Sequence, residues 1–205
     1  MTDAVIDGRR ANRRGIATRE AMITAAIASL ATGDPAAVSG NRIARDIGAT
    51  WGAIKYQFGD IDGLWAAVLR YTADKRGDLP AGIRPGGSLH ERVDAMIRAM
   101  AVGLRRPESL AIETLRAALP RDHVELERDF PLTAAEFASW KPHWDKACER
   151  AFADLDLDAT RVRQVAALIP FAMRGIVSER TLGTYGDLDD AIDGLVGALV
   201  TYLTP

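Results

Sequence analysis

The residues of this chain with the most usable side-chain chemistry fall between positions 41 and 57. There the Gln57 amide can pair bidentately with adenine N6/N7, and the Lys55 ammonium can reach a guanine or a phosphate. The Tyr56 hydroxyl suits a phosphate oxygen, Thr50 adds a second hydroxyl, and Arg42 a second cation. Gly52 has no side chain, which lets backbone come close to a partner. Trp51 reads two ways: as packing against the preceding helix, or as an apolar contact to a thymine methyl or a sugar. Bond-making chemistry has no comparable footing. His90, His123 and His143 have no metal-ligand spacing with one another, and Cys148, the single cysteine, has no evident nucleophile machinery. No nucleophile elbow, phosphate-binding loop or dinucleotide fingerprint occurs. An enzyme is therefore not expected, nor are a metal or a cofactor.

The elements that must position these groups are two short helices. Ser39 is a cap-type residue before a helix over 40–46, and Thr50 is another before a helix from about 50 to 56. Ile43, Ile47 and Ile54 face inward, Ala44 is small where the helices cross, and Gly48 ends the first helix. A helix–turn–helix needs these features to offer its second helix to a major groove. The competing reading is a helical hairpin used for protein contact, as in an adaptor. Residues 18–32 form an amphipathic helix through Ile23, Ala26, Ile27 and Leu30, stopped by Gly33-Asp34-Pro35. After the Phe58-Gly59-Asp60 turn, helical periodicity resumes over 61–76 through Leu64, Trp65, Val68 and Leu69.

This order resembles the TetR family of transcriptional regulators over roughly residues 17–70. The family pattern of Gly turn, small pair, aliphatic, two aromatics, His-Phe, capped turn and Leu reads here as Gly48, Ala49-Thr50, Gly52-Ala53, Ile54, Lys55-Tyr56, Gln57-Phe58, Gly59-Asp60 and Leu64. Lys55, Gln57 and Ile61 depart from the usual aromatic, His and Lys, which bears on the bases read and not on the fold. The resemblance implies an all-α protein with a three-helix DNA-binding head, a larger C-terminal helical bundle and a homodimer. It also implies a double-stranded DNA operator and a small-molecule effector. Asn41 takes a position that commonly reaches a base edge.

Composition agrees. The 205 residues are 48% hydrophobic and 26% charged, which suits a folded domain of ordinary kind. Residues 1–76 carry 11 Lys/Arg against 8 Asp/Glu, net +3, while 77–205 carry 15 against 20, net −5. A basic head on an acidic body is expected when one end meets phosphates. No apolar run approaches a membrane span and no secretory signal opens the chain, so a cytoplasmic location is expected.

Four segments follow: a basic flexible arm over 1–16 with Arg9, Arg10, Arg13 and Arg14; the head and connecting helix over 17–76; a Gly/Pro-rich linker over 77–87; and an effector-binding and dimerisation domain over 88–205. The last is helical throughout, with Pro170 kinking the penultimate helix. By resemblance the effector pocket draws on Met96, Met100, Phe137, Trp140, His143, Trp144, Phe171, Met173 and Arg174. The Arg174 charge needs a partner, either an acidic effector or Glu113 or Glu179. The broad apolar face of the last two helices, with Val177, Leu188, Ile192, Leu195, Val196 and Leu199, is the expected dimer interface, unless it packs inside one subunit. Gly194 and Gly197 would let another helix come close.

Overall fold

The computed structural model describes residues 2–76, 86–183 and 187–204. Most of the expected linker and Gly186 lie outside these residues. The described chain is helical, without a strand: α1 (Thr2–Leu30), a 3-10 turn (Pro35–Val38), α2 (Gly40–Asp46), α3 (Trp51–Phe58), α4 (Ile61–Arg76), α5 (Leu89–Leu104), α6 (Pro107–Ala118), α7 (His123–Asp129), α8 (Pro131–Phe152), α9 (Ala159–Leu182) and α10 (Leu188–Leu203). No described helix is long and apolar enough to cross a membrane. The expected arm is helical from Thr2 onward. No proline interrupts the chain before Pro35, and the Ala- and Arg-rich sequence favours continuation across Gly8 and Gly15.

Two compact units emerge. One comprises Met1–Asp74 with Pro107–Phe137, and the other Lys75–Arg106 with Ala138–Pro205. The division does not follow the Gly/Pro-rich break, because α6 packs on α1 and on the 3-10 turn. Ile23, Ala26, Ile27 and Leu30 of α1 and Ala111, Ile112 and Leu115 of α6 are all buried. Burial, not the break in sequence, decides what packs together.

In the first unit α8 begins with a borrowed cap. Pro131 has no N–H to satisfy, and the next two donors, Leu132 and Thr133, bond the buried Asp62 carboxylate at 2.8 and 2.9 Å. Ala134 N–H already reaches Phe130 C=O at 2.9 Å, so the first turn is fully paired. Arg70 and Glu136 add an ion pair between the same two helices.

The second unit has one core, drawn from α5, the later part of α8, α9 and α10. Ser88 and Glu91 close a capping box on α5. Arg92 is buried and fully engaged: Nε donates to Gly87 C=O and Nη1 to Ala151 C=O, each at 2.8 Å, and the guanidinium clasps Asp154. That hydrogen-bonded pairing lowers the Asp154 carboxyl to about 2. Proline stands inside α9 at Pro170, and inside α8 at Pro142.

The expected dimer stripe is largely consumed by this core. Val177, Ile192, Val196 and Leu199 are buried within the chain, and Leu188 and Leu195 are packed against the same cluster. The reason is that α10 lies on both α5 and α9. What α10 turns to solvent is Asp189, Asp190, Ala191 and Asp193 near its start, and Gly194, Gly197, Ala198, Thr201 and Tyr202 beyond.

Candidate nucleic-acid interface

The α2–α3 pair is built from caps and one tight turn. The Ser39 hydroxyl accepts from Arg42 N–H at 3.2 Å and the Thr50 hydroxyl from Ala53 N–H at 3.1 Å, so each helix starts on its own side-chain cap. Between them Gly48 takes φ +65°, which lets Gly48 N–H reach Arg45 C=O and Ala49 N–H reach Ala44 C=O at 2.9 Å. This closes α2 with the six-to-one hydrogen bond of a Schellman turn. Ile43 and Ile54 are fully buried and Ala44 nearly so. The inward face is thus spent on packing, and the outward face is left for a partner.

That outward face carries Asn41, Thr50, Trp51, Gly52, Lys55 and Tyr56, all exposed; Tyr56 is 87% accessible. Gln57 is half-buried. Its backbone carbonyl accepts from the Arg19 guanidinium, which also lies 4.3 Å from the centre of the Phe58 ring. Arg19 therefore caps the carboxyl end of α3 from α1. Arg42 is bound to two carboxylates, Asp46 at 2.9 Å and Asp34 at 3.4 Å. Asp46 is held below the usual carboxylate range by the Ser29 hydroxyl and then by Arg42. Arg45, one turn on, is exposed and was not singled out by sequence.

Trp51 packs against the preceding helix and is also partly exposed. Its ring lies on Gly40, where an added Cβ would stand 3.0 and 3.2 Å from Cζ3 and Cη2, yet 41% of the residue remains accessible. At the other end of α3, Gly63 makes the tightest approach in the head. A Cβ there would collide with the Phe58 carbonyl. Asp60 secures this joint by accepting from Gly63 N–H at 2.8 Å. Arg19, Gly40, Asp62 and Gly63 are the positioning residues that sequence reasoning missed. Only the Gly at 63, inside an otherwise apolar helix start, carried a visible signal.

The expected effector residues are not gathered in one place. Met96, Met100 and Met173 lie in the second unit's core, and Trp144 borders it, its indole N–H donating to Ala166 C=O at 2.6 Å. Trp140 is half-buried, while His143 is exposed with Nδ1 2.6 Å from Ser139 C=O. Phe137 belongs to the first unit, its ring centre 4.5 Å from the Arg116 guanidinium. Phe171 is 67% accessible, and Arg174 lies 5.2 Å from its ring centre, so the partner of that charge is a π face. An open groove of about 570 Å³ lies elsewhere on the unit, along Arg161, Gly197, Ala198, Thr201, Tyr202 and Thr204. Among the described residues no group of His, Cys, Asp and Glu is arranged for a metal.

No family model matches the chain, and no curated protein matches it in sequence. Solved structures do match in shape. A Rhodococcus sp. protein assigned to the TetR-family transcriptional regulators superposes with a TM-score of 0.64 at 21% identity, over 91% of this chain and 99% of its own. The multidrug binding protein EbrR, crystallised with imidazole, gives 0.60 at 21% identity over 88% and 93%. NalD, the secondary repressor of the MexAB-OprM multidrug efflux pump in Pseudomonas aeruginosa, gives 0.65 at 18% identity over 93% and 98%. At these identities the likeness is one of architecture, and the architecture of this chain is that of the TetR-family regulators.

Proposed function

We propose that the protein is a transcriptional repressor that binds a near-palindromic DNA operator as a homodimer and releases it when a small molecule binds its second unit. The observation that carries this reading is the α2–α3 pair. Its buried side is closed by Ile43 and Ile54, its helices are individually capped, and its open side presents Asn41, Thr50, Trp51, Lys55 and Tyr56 together. A surface so rich in hydrogen-bonding groups on so rigid a frame is what base-edge readout requires.

Dimerisation is proposed through the solvent side of α9 and α10. Leu168, Phe171 and Tyr202 are accessible there, and a Cβ added to Gly175, Gly194 or Gly197 would meet nothing within 4 Å. Small residues beside exposed apolar ones suit close helix packing with a second copy. For the effector, the region of Met96, Met100, Trp144 and Met173 is proposed, because flexible thioethers can repack around an inserted apolar molecule. EbrR is by name a multidrug binding protein, which fits an apolar or amphipathic ligand class. Release then follows from differential affinity of that ligand for two dimer states.

Selection of bound duplexes from a random library, followed by titration at several salt concentrations, tests the reading. The expected result is an inverted-repeat consensus bound with a steep salt slope, and relaxed preference at one base pair per half-site in Gln57→Ala. Gly197→Glu should sediment as folded monomer. Failure to enrich any DNA would refute the proposal.

A further inference from the structure

We infer that Trp51 is a methyl-reading residue, held in register by Gly40, so that the protein discriminates pyrimidines in duplex DNA by their C5-methyl group. The inference deepens the DNA-binding function proposed above and rests on it. Its first support is positional. Trp51 is the first residue of α3 and Gly40 the first of α2, so the indole lies where the starts of the two helices meet. The ring rests on the bare Cα of Gly40, with Cζ3, Cη2 and Cε3 at 3.0, 3.2 and 3.8 Å from the place a Cβ would take. Gly40 has no positive φ, so its backbone does not demand glycine; what a Cβ there would press on is the ring.

The second support is chemical. The Trp51 indole, left 41% accessible beside exposed Thr50, Gly52, Lys55 and Tyr56, sets an all-carbon ring edge on a face whose other large ring, Tyr56, ends in a hydroxyl. Most groups a base pair presents in the major groove are hydrogen-bond donors or acceptors, which an indole carbon edge cannot satisfy. The exception is the C5-methyl of thymine. 5-Methylcytosine carries the same methyl at the same place, whereas uracil and cytosine lack it. A ring fixed by Gly40 meets that methyl without first losing rotamer freedom, which makes the contact discriminating as well as sticky. Cytosine methylation at the contacted position should therefore mimic thymine.

The test uses the duplex recovered by selection. Each thymine is replaced in turn by uracil, and each cytosine by 5-methylcytosine, symmetrically in both half-sites. Affinity is read by fluorescence anisotropy for the wild type, Trp51→Ala and Gly40→Ala. At one position per half-site, each methyl removed or added should change wild-type affinity about fourfold, the worth of one buried carbon. Trp51→Ala should be indifferent at that position while keeping its response to salt. Gly40→Ala should keep the wild-type melting temperature but lose the discrimination, because a methyl there pushes the ring aside by a few tenths of an ångström. Should Trp51→Ala fail to fold, Gly40→Ala decides the matter, since it leaves the indole present. A wild type indifferent to every methyl, or a Gly40→Ala protein that discriminates as before, overturns the inference while leaving the regulator intact. A protein that selects no DNA overturns both.

Discussion

Replacing Gly63 by alanine should dismantle the head, whereas the same change at Gly52 should not. The added Cβ at Gly63 would overlap the carbonyl oxygen of Phe58 and stand 3.0 Å from its carbonyl carbon. Neither atom is free to retreat. Gly59 N–H ties the end of α3 to Lys55 C=O at 2.9 Å, and the Asp60 carboxylate grips Gly63 N–H at 2.8 Å. Alanine has no rotamer that avoids the clash, so the joint between α3 and α4 must open. Opening it forfeits the Asp60 cap, about 0.5–2 kcal/mol, and disturbs fully buried Leu64 and Trp65, each worth about 1.5–3 kcal/mol of burial. The loss reaches the range of about 4 kcal/mol or more that marks severe substitutions. Against a typical stability of about 5–15 kcal/mol, that leaves little. At Gly52 the nearest atom to a new Cβ is Thr50 Oγ1, at an ordinary 3.8 Å. Alanine there should stabilise α3 by about 0.5–1 kcal/mol while setting a methyl between the helix backbone and DNA. Urea denaturation followed by circular dichroism, with anisotropy on operator DNA, separates the two. Gly63→Ala should lose stability and DNA binding together, and Gly52→Ala should lose DNA binding alone. A Gly63→Ala protein with wild-type stability would show that the α3–α4 joint is not built as described.

Three further outcomes are expected. Asp62→Ala strips the acceptor from Leu132 and Thr133 N–H, and the buried Thr133 donor left unpaired should cost about 1–3 kcal/mol in denaturant titrations; an unchanged midpoint would refute the borrowed cap. Asp154 has its folded pKa lowered to about 2 by Arg92, so its stabilisation is complete above the ordinary carboxylate value and is lost as pH falls through about 2. The stability gap between wild type and Asp154→Asn should therefore narrow from pH 5 towards pH 2, and a gap that does not change with pH would contradict this. Cys148 is buried, its thiol pushed up to about 12 by burial and by Asp145 and Glu149. An aromatic disulfide reagent at pH 8 should label it only as fast as the second unit opens, and immediate labelling would count against that core.

Much of the fold was legible because helix ends are local events. The bounds of α2, α4 and α10 follow from Ser39, Gly48, the Gly59-Asp60 turn and the periodicity of 188–203, each readable within a few residues. What escaped was non-local. Arg19 acts across the chain on Gln57, and Asp62 on Leu132 and Thr133, and no window of sequence contains both ends of either contact. Periodicity also shows that a face is buried without showing by what. Ile192, Val196 and Leu199 face inward as the pattern requires, but they are covered by α5 and α9 of the same chain. The Gly/Pro-rich segment does not divide the two units, since α6 lies beyond it in sequence and packs with α1.

Within the first unit these missed residues form one mechanical series. The first turn of α8 is held by Asp62, and the next residue, Gly63, seats α4 against the Phe58 carbonyl that ends α3. Arg19 closes the same end of α3 through Gln57 C=O and the Phe58 ring. Each link joins backbone to backbone or backbone to a buried carboxylate, and none relies on a long, freely rotating side chain apart from the stacked guanidinium. Such links transmit displacement poorly by bending and well by moving as a body. A tilt of the start of α8 is therefore expected to be felt at the end of α3, and exchange of the Tyr56 and Gln57 amides in Asp62→Ala would check it. The exposed face of α3 and the capped start of α8 are thus connected through α4 by short contacts at Gly63 and Asp62. The Asp62 carboxylate and the Arg70–Glu136 ion pair are the contacts that join α4 to the start of α8.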